Sequence, residues 1–179
     1  MNKTTTRSFI AVSLLALSLQ AEEVGDITVP ESKSLERRVQ TQNFTILGFG
    51  PGYLQGLGND GFSYHLQGGW WREAHPNAAI RILSDFDFRP NFKNWKAAAG
   101  LGLVLLPSRQ SISPFLGADF GWGFADGRKM ANGFDLGGSV GMQLFRTAST
   151  QMSVEGRSSV ILDGDQTPWS NSLALSVEF

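Results

Sequence analysis

The segment "GFSYHLQ" at residues 61–67 holds two side chains that could begin nucleophilic chemistry, Ser63 and His65. Successive side chains of an extended strand point to opposite faces, so residues two apart share one face. A serine nucleophile needs a base beside it and a carboxylate that orients the base. The spacing identifies no such carboxylate. We therefore interpret His65 as a hydrogen-bonding residue and predict no catalytic site.

Acidic residues are the next candidates for chemistry. Asp85, Asp87 and Asp119 could cluster as metal ligands, but basic residues of matching parity can neutralise them: Arg81, Arg89 and Lys96. The sequences "DGD" at 163–165 and "ADG" at 125–127 resemble parts of calcium loops, yet both lack the remaining ligands. Asp-Gly is more often a plain turn. We predict neither a metal nor a cofactor.

Composition excludes several further classes. The chain of 179 residues contains no cysteine, which rules out disulfides, thiolate metal sites and cysteine nucleophiles. Its formal net charge is −1 and no basic block occurs, so we expect no nucleic-acid partner. Charged residues make up 17% of the chain, below the usual share of about 25%. Such a composition suits a protein with much apolar surface.

The first 42 residues are expected to lie outside the fold. Residues 1–21 have a short basic head, an apolar run from Phe9 to Leu19 and then Ala21, which is the layout of a secretory signal peptide. Residues 22–42 are polar and predict a flexible periplasmic segment. No later stretch holds 18 consecutive apolar residues, so a helical membrane protein is not expected.

From Asn43 the apolar residues alternate with polar or small ones, which predicts strands. Eight such runs occur, and the short connections between them carry turn residues. Two runs are less clear than the others. The first contains Pro51, which cannot donate a ladder hydrogen bond, so we expect that strand to stop or bulge near Gly50. The seventh, around Met152 and Val154, has only a weak apolar face.

Eight alternating strands fit either a soluble barrel that turns its apolar face inward or a membrane barrel that turns it outward. The polar face carries charges of both signs, and glycines beside them leave room for long side chains. We predict that the charges face the lumen and pair there, because unpaired buried charge is costly. The predicted lumen charge network consists of Arg81, Asp85, Asp87, Arg89, Lys96, Asp119, Asp135, Glu155 and Arg157.

Five tryptophans lie at or near strand ends: Trp70, Trp71, Trp95, Trp122 and Trp169. Tryptophan prefers the layer where lipid headgroups meet the hydrocarbon, so the five together predict an aromatic girdle. Each one taken singly could equally be a core residue. The set favours the membrane barrel.

The glycine-rich pair "PFLGADFGWGF" and "FDLGGSVGMQLF", with a final strand that ends on Phe179, resembles the small bacterial outer-membrane barrels of the OmpA/OmpX-like class. The resemblance covers residues 43–179. It implies an eight-stranded antiparallel up-and-down transmembrane β-barrel with a polar lumen, located in the outer membrane of a Gram-negative cell. It also implies that Phe179 is an assembly signal read by the barrel-assembly machinery, with outer-membrane lipid as the other partner and a monomeric state.

An even strand count puts both chain ends on the periplasmic side. The connections near 56–60, 89–92, 125–132 and 162–168 would then face outward, and "REAHPN", "PSRQS" and "RTAS" would be periplasmic turns. The expected role is structural or interactive at the cell surface, without catalysis. The alternatives are a lipid A-modifying enzyme, a narrow pore and a soluble ligand-binding barrel.

Overall fold

A computed structural model describes residues 43–179 except 109, 147–149 and 165–166. The predicted signal peptide and the polar segment 22–42 lie outside these residues. Eight strands account for most of the described chain: β1 Asn43–Gln55, β2 Gly61–His75, β3 Ala78–Phe88, β4 Trp95–Leu105, β5 Ile112–Asp126, β6 Ala131–Leu144, β7 Gln151–Leu162 and β8 Trp169–Glu178. Among the described residues, no helix has the length and hydropathy needed to cross a membrane.

The eight strands form one closed barrel in which every strand pairs antiparallel with its sequence neighbours. Closure comes from β1 and β8, which pair from Ile46 opposite Glu178 to Gln55 opposite Trp169. Beyond the ladder, Thr45 and Phe179 exchange two backbone hydrogen bonds of 2.7 and 3.0 Å. A closed barrel satisfies the backbone of every strand and leaves no free edge. The predicted fold class is confirmed.

Strand β1 does not stop or bulge near Gly50, so that expectation was wrong. Pro51 pairs in register with Tyr64 of β2. On the other side, β1 pairs with β8 at Phe49 and again at Gly52 without a change of register. Proline lacks an N–H, and here the ladder to β8 simply omits that position. Among the described residues, the pairing of β2 with β3 shifts its register between Glu73 and His75.

The barrel has two distinct ends. The terminus end holds both ends of the barrel and the described residues of the connections 76–77, 106–111 and 145–150; the loop end holds the described residues of the connections 56–60, 89–94, 127–130 and 163–168. The four connections predicted to face one side therefore do lie together. Along every strand, buried residues alternate with exposed ones, as a closed sheet with two different faces requires.

Apolar side chains close the lumen at both ends, which the alternation pattern did not predict. The terminus-end plug is a buried cluster of Phe44, Ile46, Trp71, Ala79, Leu83, Val104, Leu106 and Phe115. The loop-end plug is a second cluster of Leu54, Leu57, Ala125, Ala131 and Ile161. The predicted polar lumen is therefore interrupted by apolar clusters towards both ends, although buried polar side chains such as Gln143, Gln151 and Glu178 also lie beside the terminus-end plug.

One loop residue enters the barrel to complete the loop-end plug. Leu57 belongs to the β1–β2 connection, yet it is only 1% exposed. Its flanking residues Gly56 and Gly58 have φ angles of +81° and +88°, a left-handed conformation that glycine adopts without strain. These two glycines allow the loop to fold back over the barrel mouth and turn Leu57 inward.

Candidate functional site: the charged interior

Arg81 is the centre of the charged interior. Its guanidinium makes a two-pronged contact with Asp119, with Nε–Oδ1 and Nη2–Oδ2 distances of 2.7 Å each. Nη1 lies 2.9 Å from Glu155 Oε1, and Nη2 also donates to Ser139 Oγ at 2.9 Å. Strand β3 presents Arg81 inward beside Gly102 of β4, where an added Cβ would lie 2.0 Å from Asp119 Oδ1. The missing side chain of Gly102 thus provides the space for this pair.

Arg157 of β7 extends the network across the lumen. Its Nη2 lies 2.8 Å from Asp85 Oδ2, and its Nη1 contacts Asp119 Oδ2. Asp119 is therefore shared by two arginines, one from β3 and one from β7. Such bridging links strands that are not neighbours in the sheet, so the network ties opposite walls of the barrel together.

Lys96 forms a second group nearer the loop end. Its Nζ lies 2.7 Å from Asp135 Oδ1 and donates to Ser159 Oγ at 2.6 Å. Ser159 Oγ in turn lies 3.1 Å from Ser170 Oγ. The ammonium group of Lys96 is fully buried, so its charge is compensated by these contacts and not by water.

His65 has the orienting carboxylate that the sequence did not identify. Its Nδ1 lies 2.8 Å from Asp87 Oδ1. A hydrogen bond from Ser63 to His65 would complete a Ser-His-Asp triad. However, His65 Nε2 lies 3.3 Å from Gln67 Oε1, and no hydrogen bond joins it to Ser63 Oγ within the described chain. Without a base at its hydroxyl, Ser63 is not an activated nucleophile.

Most members of the predicted network are brought together, but Arg89 is not. It follows the last residue of β3, lies half-buried at the loop end and donates from Nη1 to the carbonyl oxygen of Asn59 at 3.2 Å. Within the described residues it forms no ion pair. The prediction for Arg89 was wrong because the alternation that assigned it to the lumen ends at Phe88.

The tryptophans divide between the two faces of the barrel. Trp71 is 1% exposed and packs edge-to-face against Phe115 inside the terminus-end plug, with ring centroids 5.8 Å apart. Its assignment to an outer girdle was wrong, because adjacent residues of one strand cannot share a face and Trp70 takes the outer one. The others lie on the outer wall: Trp70 towards the terminus end, and Trp95, Trp122 and Trp169 towards the loop end.

The charged interior contains more carboxylates than cations. Among the described residues, four permanently charged cations are buried, Arg81, Lys96, Arg146 and Arg157, and six carboxylates are buried: Asp85, Asp87, Asp119, Asp135, Glu155 and Glu178. A cavity of about 10 Å³ lies among Asp85, Asp119, Asp135 and Arg157, which is the size of one water molecule. Within the described residues, no group of three or more His, Asp or Glu side chains has the arrangement of a metal site. At this point of the charged interior, the space between the described side chains would hold one water molecule and not a substrate.

A terminus-end residue that sequence reasoning passed over is Arg146. It is buried, and its Nε lies 3.0 Å from Glu73 Oε1. Its Nη2 donates to the carbonyl oxygen of Pro76 at 2.7 Å, and its Nη1 contacts the carbonyl oxygen of Ser108. Arg146 thereby joins three turns. The sequence shows Arg146 as a lone arginine in a turn. Charged residues in turns are usually solvated, so the sequence did not indicate that Arg146 is buried.

Comparisons with known proteins agree with the barrel. No family model matches the chain, and no curated relative matches it. Among solved structures, Neisserial surface protein A has a TM-score of 0.63 at 10% identity and covers 78% of this chain and 99% of that one. The attachment invasion locus protein of Yersinia pestis has a TM-score of 0.48 at 12% identity, covering 76% and 97%. The N-terminal barrel domain of Pseudomonas aeruginosa OprF has 0.48 at 8%, covering 77% and 100%.

Proposed function

Because the chain folds as a small eight-stranded barrel like those of bacterial outer membranes, we propose that it is an integral outer-membrane protein with a structural or cell-surface interaction role. The proposal rests on the observation that the barrel is apolar outside and charged inside, the reverse of a soluble protein. Large apolar side chains cover the outside, whereas the ion pairs of Arg81, Lys96 and Arg157 are buried inside. In water this arrangement would expose apolar surface and bury charge, and both are unfavourable; in lipid the outer face is solvated by the acyl chains.

The closed lumen argues against the transport and ligand-binding alternatives. A soluble ligand-binding barrel needs an apolar cavity open at one mouth, and a pore needs a continuous polar path. Here two apolar plugs enclose a packed charged layer. The protein would therefore act through its outer wall and its loop end.

Several features belong to the same proposal. Residues 1–21 would direct export and be removed, and Phe179 at the end of β8 would serve as the signal for the barrel-assembly machinery. Four outer tryptophans, Trp70, Trp95, Trp122 and Trp169, would form the aromatic girdle. The barrel would be monomeric in outer-membrane lipid.

Membrane insertion is tested by fractionation and by gel mobility with and without heating. We expect the protein in the outer-membrane fraction, and a folded band that shifts when the sample is boiled. A freely soluble periplasmic product whose mobility does not depend on heating would overturn the proposal.

Orientation can be tested cleanly because the chain has no cysteine. Lys129→Cys lies in an exposed loop-end connection, and Gln110→Cys lies in an exposed terminus-end connection. In intact cells, a membrane-impermeant maleimide should label the Lys129→Cys variant and not the Gln110→Cys variant. After the cells are lysed, both should react. Labelling of Gln110→Cys alone in intact cells would reverse the proposed orientation.

The absence of catalysis is part of the proposal and is tested against the lipid A-modifying alternative. Mass spectrometry of lipid A from cells with and without the protein should give identical species. A new lipid A mass that disappears in a Ser63→Ala variant would establish an activity at Ser63 and refute the non-catalytic role.

A further inference from the structure

A small polar group lies on the outer wall of β7 and β8, where most neighbouring side chains are apolar. Ser158 faces Asn171 across the two strands, and Ser158 Oγ donates to Asn171 Oδ1 at 2.9 Å. The indole Nε1 of Trp169 donates to the same oxygen at 3.2 Å. All three side chains face outward near the loop end: Trp169 and Asn171 are the first and third residues of β8, and Ser158 is the β7 residue opposite Asn171. The outer wall is thus locally polar at one depth.

The two donors determine which way the amide of Asn171 points. An indole N–H can only donate, so the atom that it meets must be the amide oxygen and not the nitrogen. The Nδ2 group of this exposed side chain therefore keeps its two N–H donors away from Ser158 and Trp169. Within the described chain, neither of these N–H groups meets an acceptor. The site presents donors to whatever covers the barrel wall.

The depth of the group indicates what covers it. In a membrane barrel, tryptophan lies at the boundary between headgroups and hydrocarbon. Asn171 lies two residues below Trp169, or about 5 Å deeper for a strand that rises about 3.3 Å per residue and is tilted. This is the level at which acyl chains join the lipid headgroup through ester or amide carbonyls. An amide N–H without an acceptor is costly at this depth, and a carbonyl oxygen would satisfy it.

The local charge favours a neutral acceptor over a phosphate. The nearest connection at the loop end, 163–168, carries Asp163, whose Oδ2 accepts from the backbone N–H of Asn132 at 3.4 Å. The described basic side chains of the loop end belong to other connections: Arg89, Lys93, Arg128 and Lys129. The connection next to Asn171 therefore offers a phosphate no basic side chain among its described residues.

We propose that Asn171, held by Ser158 and Trp169, binds the acyl-linkage carbonyl oxygen of a lipid in the leaflet at the loop end. Tyr53 of β1, which lies opposite Asn171 in the register and is 46% exposed, forms one side of the site. The acyl chain itself would run along Leu173, two residues deeper and 53% exposed. This inference rests on the proposed membrane location and adds a specific lipid contact to it.

The test compares ester-linked and ether-linked phosphatidylcholine bilayers, which share a headgroup and differ in the carbonyl. The folding equilibrium constant of the wild-type protein should be about fivefold larger in ester lipid than in ether lipid, the value of one hydrogen bond. The Asn171→Leu variant should lose this preference. The matched control Ser84→Leu, another outward polar residue at a different place on the wall, should keep it. An Asn171→Leu variant with the wild-type preference overturns the proposal.

A second readout does not depend on stability. The side-chain amide resonances of Asn171 in ¹⁵N-labelled protein should shift between ester and ether nanodiscs and stay unchanged when the headgroup is made anionic. A shift that follows headgroup charge and not the acyl linkage would indicate a phosphate contact and refute the carbonyl site. If the protein inserts into neither lipid, the membrane proposal itself fails; if it inserts equally well and Asn171 does not respond, only the lipid site fails.

Discussion

At the scale of single residues, Arg81 makes four side-chain hydrogen bonds in the charged interior. It is 0% exposed and compensates two carboxylates, Asp119 and Glu155. Removing its charge would leave both acids buried in an interior that already has more carboxylates than cations. The free energy of unfolding should therefore fall more than it does when an ordinary surface cation is removed.

Replacing Arg81 by methionine, which keeps an unbranched stem and removes the guanidinium charge, should lower the free energy of unfolding by about 3–5 kcal/mol. Urea unfolding in lipid vesicles measures this. Arg72→Met, an exposed arginine of β2, is the control and should change stability by less than about 0.5 kcal/mol. Equal losses in the two variants would mean that the buried network contributes no more than surface charge.

Phe179 is a second case at the scale of single residues, because its side chain should matter for assembly and little for stability. Its side chain is 54% exposed, so it packs little against the barrel, while its backbone pairs with Thr45. Deleting the residue would remove those backbone bonds, whereas Phe179→Ala keeps them. We expect Phe179→Ala to reduce the amount of assembled protein in cells severalfold, while the unfolding free energy of refolded protein falls by about 1 kcal/mol or less.

The control for Phe179→Ala is Val177→Ala, which truncates another outward side chain of β8. Heat-dependent gel mobility of membrane fractions measures assembly, and urea unfolding measures stability. Normal assembly of the Phe179→Ala variant would remove the basis for treating the last aromatic residue as a signal.

At the scale of elements, a buried arginine joins the turns of the terminus end to one another, in addition to the hydrogen bonds within single turns. Arg146 contacts Glu73 before one turn, Pro76 within it and Ser108 in the next. The backbone adds two links, from Leu106 N to Asn77 O at 2.9 Å and from Arg146 N to Ser111 O at 3.1 Å. These contacts make three short turns one structural unit.

Arg146→Ala should lower the unfolding free energy by about 2–3 kcal/mol, since hydrogen bonds to charged groups are the stronger kind. It should also raise hydrogen exchange in the connections 76–77 and 106–111, which lose their donor. Arg128→Ala at the exposed loop end is the control and should change neither quantity at those turns. Unchanged exchange in the Arg146→Ala variant would show that the backbone links alone hold the turns.

At the scale of the whole molecule, the barrel interior consists of three layers in series. The terminus-end plug and the loop-end plug are centred on apolar clusters, with buried polar side chains such as Gln143 and Glu178 beside the first, and the ion-paired layer lies between the two clusters. Ions would have to cross all three layers. An eight-stranded barrel leaves little space beyond its own side chains, so these layers leave no room for a wide aqueous path.

We therefore expect no steady conductance from the wild-type protein in planar bilayers. Leu57→Gly, which opens the loop-end plug, and Trp71→Gly, which opens the terminus-end plug, should each stay at the background level because two layers remain. A large steady conductance of the wild-type protein would show that the layered interior does not close the barrel.

The sequence alone determined the strands, their two faces and the closed barrel. A strand repeats every two residues, so apolar and polar positions reveal its faces directly, and eight such strands with short turns have few ways to close. The lumen position of Arg81 and Asp119 follows from that parity. The same rule did not place Arg89 correctly, because Arg89 lies beyond the end of β3, where the alternation stops.

Only the tertiary structure decided what lies inside the barrel and at what depth. The alternation assigns a residue to one face of the barrel, but it does not say which side chain that residue will contact. Arg81 and Glu155, for example, are 74 positions apart, and they meet only through the register of several strands. The inward turn of Leu57 depends on loop conformation, and the position of Trp71 in a plug depends on which adjacent tryptophan faces outward. These outcomes are set by packing across the lumen, which no local pattern in the sequence records.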